Sequence, residues 1–468
     1  MLFAIFARNS KLSVATPESK IFLSAPRTQR PRLCFHFCAR AAQARAARPH
    51  IDSTPPLPSV TPDYVRNFHC IGPECDDTCC QAWDIGVDKA TYERYRLIPA
   101  ESLLHPIVQS SVVLRPAPRT EKDYAHILIN DSLQCPFLSA EKWCRLQKDF
   151  GPEYLSSVCA TYPRVLNHVD GRSEQSLHLS CPEAARMVLL DQRLLRDAVP
   201  GYAQLPALLS QLPPEDTSNP RPFLGAIRAF LIALLQDRAY PLWQRLFLTG
   251  LFSNRLQALL AASQANQIPK LLQDYAQIAS AGTLRPGLDG IPAQPALQLS
   301  VVLKLIDLRM GRVLNSMRFL ACTKEFLDGI GYRPNLPIET LLPAYHRAHD
   351  DFYRPLMHAH PQLLENYLLN HLFKTVFPYG VREPSGTGQR GPSVEFMALA
   401  AHFALIKGLL IGMSGFHRES FSVSHVVRLI QSYGRMIEHH AQFAEQIVAF
   451  LQQRVPANPT GIVMLLKN

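Results

Sequence analysis

The period of the apolar residues changes near residue 182. Before it, short extended runs stand out. Tyr124–Ile129 (YAHILI) reads as a strand, and Val165–Ser180 (VLNHVDGRSEQSLHLS) as a hairpin about a turn at Asp170–Gly171. After it the spacing is helical. Pro182–Asp197 opens with Pro-Glu-Ala-Ala, a favourable first turn. Pro222–Asp237, Leu242–Ser263, Leu363–Phe377, Val394–Met413 and Val423–Gln453 continue the pattern. One run places Leu299, Val302, Leu303, Ile306, Met310, Val313, Met317 and Leu320 on a single helical face. Breaks fall at Pro-rich 212–222, at 281–295 and at the Gly-rich loop Ser385–Pro392. The expected fold is mainly α. A small Cys-rich metal-binding α+β unit with short hairpins occupies 61–182, a large all-α helical body occupies 183–455, and 456–468 is a C-terminal tail.

Composition supports a sizeable core, with 47% hydrophobic and 18% charged residues, and excludes global disorder. No stretch of uninterrupted apolar residues approaches the length of a bilayer span. The best run is Phe230–Leu235, so no membrane insertion is expected. The net charge of +10 is concentrated in residues 1–60, where nine basic and two acidic residues leave +7. The body is therefore nearly neutral and lacks the basic stripe of a nucleic-acid binder. The segment 1–60 is Arg- and Ala-rich. It is expected to be poorly ordered and outside the functional protein, as a targeting peptide or translated upstream sequence would be.

Cysteine changes the picture. Of eleven, eight lie between residues 70 and 181: Cys70, Cys75, Cys79, Cys80, Cys135, Cys144, Cys159 and Cys181. Cys34 and Cys38 are in the basic segment, and Cys322 stands apart as an expected core residue. Disulfide scaffolds are typically short secreted domains, whereas this chain is long and rich in Leu and Ala. Thiolates are soft anionic donors for zinc or for iron–sulfur clusters, so all eight are candidate metal ligands. They are enough for two four-ligand sites, or for one site with spare thiols. CxxC hooks that would favour zinc are missing, and so is the CxxxCxxC triad, because Ala82 stands where its third Cys would be. Spacing leaves zinc and an iron–sulfur cluster open.

Five blocks then recur in order: Tyr64–Tyr95 (YVRNFHCIGPECDDTCCQAWDIGVDKATYERY), Cys135–Leu138 (CPFL), Trp143–Leu146 (WCRL), Cys159–Arg164 (CATYPR) and Leu179–Arg186 (LSCPEAAR). Together with Glu365–Gly380 (ENYLLNHLFKTVFPYG) they resemble the bacterial flagellin lysine-N-methylase family over roughly residues 61–455. The Cys-rich part also resembles putative zinc- or iron-chelating cysteine domains. The resemblance implies a cytoplasmic protein-lysine N-methyltransferase that moves a methyl group from S-adenosylmethionine to lysines of flagellin. It also implies a four-iron four-sulfur (4Fe-4S) cluster on cysteines of this unit, with Cys75, Cys79 and Cys80 as first choices and zinc as the alternative metal.

Lysine methylation needs a neutral amine aligned with a sulfonium methyl. Asp76, Asp77, Asp84 and Tyr162 are candidate orienting or proton-accepting groups, although the two Asp residues beside Cys75 also suit a plain turn. Arg164 offers a partner for a carboxylate of substrate or cofactor, with a structural ion pair as the plainer reading. No Gly-rich strand-to-helix loop of the dinucleotide-binding type is present, and Ser385–Pro392 reads as an ordinary loop. His346, His349, His358 and His360, with Asp350 and Asp351, lack the spacing of a sharp metal motif and read as a solvated or partner-facing helix. The pair His439–His440 reads as surface. The competing expectation is a non-enzymatic zinc- or iron-binding helical scaffold for protein–protein interaction.

Overall fold

Extended segments pair as their side-chain alternation suggests. The structure is a computed structural model and describes residues 59–81, 83–169, 172–195, 205, 219–310, 316–381, 391–439, 441–454 and 465–467. Residues 58–468 form one unit. The first sheet, in order β2-β4-β3, is antiparallel, with β2 (Ile85–Val87), β3 (Val112–Leu114) and β4 (Ala125–Ile127). The strand expected over Tyr124–Ile129 is thus present with shorter ends. Ile85, Val87, Val112, Ala125 and Ile127 meet Tyr95, Ile98, Leu104, Phe137 and Leu146 in a small core. Cys135 lies in that core, and Cys80, Cys144 and Cys159 pack against it.

The second sheet has the order β1-β6-β5. Strands β5 (Arg164–Val169) and β6 (Arg172–Leu177) form the expected hairpin, with its turn at 170–171 outside the described residues. The free edge of β6 accepts a short parallel strand, β1 (Ser59–Val60). These two residues of the segment set aside as unordered therefore belong to the sheet, and the rest of that segment, with Cys34 and Cys38, lies outside the described residues.

Helices make up the remainder. The first of these, α1 (Pro182–Leu190), stops well short of the expected Asp197. Asn366 explains the stop: its Nδ2 donates to the carbonyls of Val188 (2.9 Å) and Asp191 (2.6 Å), occupying acceptors that a longer helix would use. Next come α2 (Leu224–Gln236), α3 (Leu242–Ala261), α4 (Ile268–Ala281) and α5 (Pro295–Met310). The apolar run from Leu299 to Leu320 is not one helix. Ser316 is extended, and its Oγ caps the Phe319 N–H at 3.3 Å, starting α6 (Met317–Gly329) afresh. Met317 is accordingly 71% exposed and is not on the buried face.

The ENYLLNHLFK stretch is α7 (Gln362–Lys374), a core helix with buried polar residues. Glu365 pairs with both Arg238 and Arg245, and Asn370 donates to Leu177 of β6 (2.9 Å) and accepts from Tyr64 (3.0 Å). Glu365, Asn366 and Asn370 are thus partnered while His371 Nδ1 is not, and these bonds tie the body to the Cys-rich unit. Beside it runs α8 (Pro392–His417), 26 residues long and by length and composition able to cross a membrane. Its apolar window is wholly buried in protein. The requirement for an uninterrupted apolar run missed it, because polar residues such as His402 and Lys407 punctuate it. The Val423–Gln453 run is also divided, into α9 (Val423–Tyr433), a π-turn (Gly434–Glu438) and α10 (Ala441–Arg454). Within 456–468, Leu465 and Leu466 are buried, and Lys467 lies 4.8 Å from the Trp243 ring. Most of the 212–222 and 385–392 loops fall outside the described residues.

Candidate functional site

The candidate ligands come from separate elements that fold against the small sheet. The Cys80 carbonyl accepts the Cys135 N–H at 2.9 Å, and Cys144 bridges to Leu138. Cys159 stands on the short helix Ser157–Thr161, whose first turn is capped by Ser156. Among the described residues no three His, Cys, Asp or Glu side chains converge as ligands of a single ion. The thiols nonetheless sort into two groups. A negative charge on Cys80 raises the pKa of Cys135, Cys144 and Cys159, so these four sense one another. Cys181 instead senses Cys75 and Cys70. Cys79 is exposed, hydrogen-bonded to Cys80, and senses both Cys159 and Cys70, so it stands between the two groups. Cys322 is buried in the helical body, near the Ser432 hydroxyl.

Burial holds most of these thiols in the neutral form. It pushes Cys159 and Cys181 up to about 12 and raises Cys75, Cys135 and Cys144. Cys80 is the exception, lowered chiefly by the Cys79 hydrogen bond, with help from Thr78 and Arg435 against burial. Four closely grouped thiols, three of them costly to ionise alone, are a donor set whose thiolate form calls for a cationic partner.

The loop carrying Cys79–Gln81 is clamped from the far end of the chain. Arg435 pairs with Asp77 (2.8 Å) and donates to the carbonyls of Thr78 (3.0 Å) and Gln81 (2.6 Å). Gln431 donates to Asp77 (2.9 Å) and to the Ser180 carbonyl (2.8 Å). The π-turn after α9 carries Arg435 to the loop and His439 to Ser180.

That loop also walls a cavity of about 540 Å³, lined by Cys79, Trp83, Asp84, Tyr162, Arg164, His178, Ser180, Arg435 and His439 among others. The Trp83 and Tyr162 rings stand 6.2 Å apart at 36°, and Trp83 Nε1 donates to the Cys79 carbonyl at 2.6 Å. Ser180 Oγ lies 3.0 Å from the Tyr162 hydroxyl and 2.8 Å from His439 Nε2. His178 packs on His439, and burial lowers its pKa to about 3, so it is neutral.

Of the four proton-handling candidates, Tyr162 and Asp84 reach this cavity. Asp84 is held at its rim by Arg115. Asp77 serves the clamp, and Asp76 faces a smaller cavity of about 320 Å³ with Arg318 and Arg428. Arg164 does not make the expected structural ion pair with any described residue. Its guanidinium lies 5.1 Å from the Phe68 ring centroid and donates to the Phe68 carbonyl. His439 is exposed as expected but belongs to the cavity wall, and His440 lies outside the described residues. His346, Asp350, Asp351 and His358 are exposed, as expected of a solvated helix, whereas His349 is largely covered, bonding Asp350 (2.9 Å) and stacking on Tyr353. Sequence reasoning passed over Trp83, His178, Ser180 and Arg435. The signal for Arg435 was Gly434 interrupting an apolar periodic run.

Residues 228–465, half of the chain, match the model of the FliB lysine N-methylase C-terminal domain. The chain belongs to the FliB lysine N-methylase family. Relatives agree. The flagellar biosynthetic protein FliU of Salmonella muenchen is 32% identical over 131 residues, 28% of this chain and 76% of FliU. The lysine-N-methylases of Salmonella choleraesuis and Salmonella typhimurium are likewise 32% identical over 131 residues, and the match spans about a third of their length (32%). No solved structure matches the chain. In this FliB-family chain the matched segment contributes Arg435 and His439 to the cavity, and the eight clustered thiols precede it.

Proposed function

We propose that the chain is an S-adenosylmethionine-dependent protein-lysine N-methyltransferase that acts on flagellin in the cytoplasm, with a four-iron four-sulfur cluster on Cys80, Cys135, Cys144 and Cys159. The observation that carries this reading is the shared loop: Cys80 belongs to the four-thiol group while its neighbours Cys79 and Gln81 wall the cavity. Family membership supplies the reaction class, and likeness to FliU, a flagellar biosynthetic protein, supports a flagellar substrate.

Soft thiolate donors suit zinc or an iron–sulfur cluster alike, and the resemblance of the Cys-rich blocks favours the cluster. When bound, it would supply a redox-active, thiolate-held anchor beside the cavity.

The chain's own residues have defined tasks. A lysine brought to the cavity mouth is partly covered by Trp83, Tyr162 and Ser180, and loss of water favours its neutral amine. The hydroxyls of Tyr162 and Ser180 and His439 Nε2 form a chain able to take up its proton. Burial raises the Tyr162 pKa, so it acts as a neutral hydroxyl. The amine lone pair attacks the sulfonium methyl carbon, the carbon–sulfur bond breaks toward sulfur, and the new ammonium sheds its proton.

Anaerobic purification with iron, sulfide and zinc analysis tests the cluster assignment. Alanine at Cys80, Cys135, Cys144 or Cys159 is expected to remove most of the iron and the visible absorbance, and Cys322→Ala to leave both intact. Stoichiometric zinc in a colourless protein would instead favour a metal-stapled scaffold.

A further inference from the structure

One charged group on the large cavity has no ion-pair partner among the described residues. Arg435 is answered by Asp77, and Arg115 by both Asp84 and Asp123. His178 is neutral, and the Tyr162 and Ser180 hydroxyls carry no charge. Arg164 is left over: no described carboxylate pairs with it, and its contacts are the face of Phe68 and the Phe68 carbonyl, 3.0 Å from Nη2. A guanidinium that no described carboxylate contacts favours a ligand end that carries a carboxylate. In the same lining, Trp83 and Tyr162 offer aromatic surface of the kind that receives a nucleobase. About 540 Å³ lies within the range of small-molecule sites.

Resting on the methylase reading, we propose that this cavity is the methyl-donor site, with Arg164 binding the α-carboxylate of an S-adenosyl amino acid and the Trp83–Tyr162 wall taking its base. The acceptor lysine then enters from the exposed side, where His439 stands.

The test is calorimetric titration of the full chain, purified anaerobically, with two probes: S-adenosylhomocysteine, and 5′-methylthioadenosine, which lacks the amino-acid end. Arg164→Gln keeps an amide donor for the Phe68 carbonyl but loses the charge. It is expected to weaken S-adenosylhomocysteine by about 10- to 100-fold, leave 5′-methylthioadenosine unchanged, and leave iron content unchanged. Trp83→Leu is expected to weaken both probes. If Arg164→Gln weakens both probes alike, or neither, the donor-site assignment is wrong while the methylase reading stands. The same holds if it raises only the KM for a lysine peptide. If the wild-type chain binds neither probe, the S-adenosylmethionine reading itself fails and takes this proposal with it.

Discussion

Lys407 shows how strongly a single residue is coupled to its surroundings. It sits within α8, buried, with its ammonium donating to the Leu466 carbonyl at 2.9 Å. Burial lowers its pKa to about 7. The unfolded chain holds that proton up to about pH 10.4, so between roughly 7 and 10 the unfolded state binds more protons and stability rises with pH. Lys407→Met is therefore expected to melt higher than wild type at neutral pH, with the gap closing as pH rises toward 10. Thermal melts across that window check this, and parallel curves would contradict it. At this scale the sequence was partly legible. The eight clustered cysteines announce themselves by density, but spacing cannot say that Cys80 folds beside Cys135 while the Cys75 thiol bonds the Asp77 carbonyl. His178, Ser180 and Arg435 acquire meaning only when β6, α1 and the π-turn meet, more than 250 residues apart in sequence.

Among the elements, α6 and α8 pack most closely where glycines face each other. A Cβ on Gly329 would lie 1.8 Å from the Gly412 carbonyl oxygen, and one on Gly412 would lie 2.3 Å from the Phe326 ring and 2.8 Å from its carbonyl. The obstacles include backbone, so the helices must part to admit a methyl group. Gly412→Ala is expected to destabilise the fold by about 1–3 kcal/mol or more, measured by denaturant unfolding, and an unchanged midpoint would show that the helices separate freely. Element type was readable from periodicity for most helices. What periodicity could not supply were the interruptions. Ser316 restarts a helix inside an unbroken apolar pattern, Asn366 ends α1 from a distance, and the π-turn at Gly434 changes register with no loss of apolar character. Each is a tertiary or capping effect layered on a correct local pattern.

Across the molecule, the helical body acts on the Cys-rich unit through buried polar contacts. α7 holds β6 and the end of α1, and Arg435 and Gln431 hold the thiol loop. The body thereby fixes a loop that otherwise has little regular structure, which accounts for the presence of both parts in one chain. The central claim is methyl transfer to lysine, and its most direct measurement is mass spectrometry of flagellin incubated anaerobically with the iron-loaded chain and S-adenosylmethionine. The account predicts methylated lysines that appear with the wild-type chain and disappear with the Cys80→Ala and Cys144→Ala variants. Flagellin left unmethylated by a chain that retains its iron and binds S-adenosylhomocysteine would contradict it.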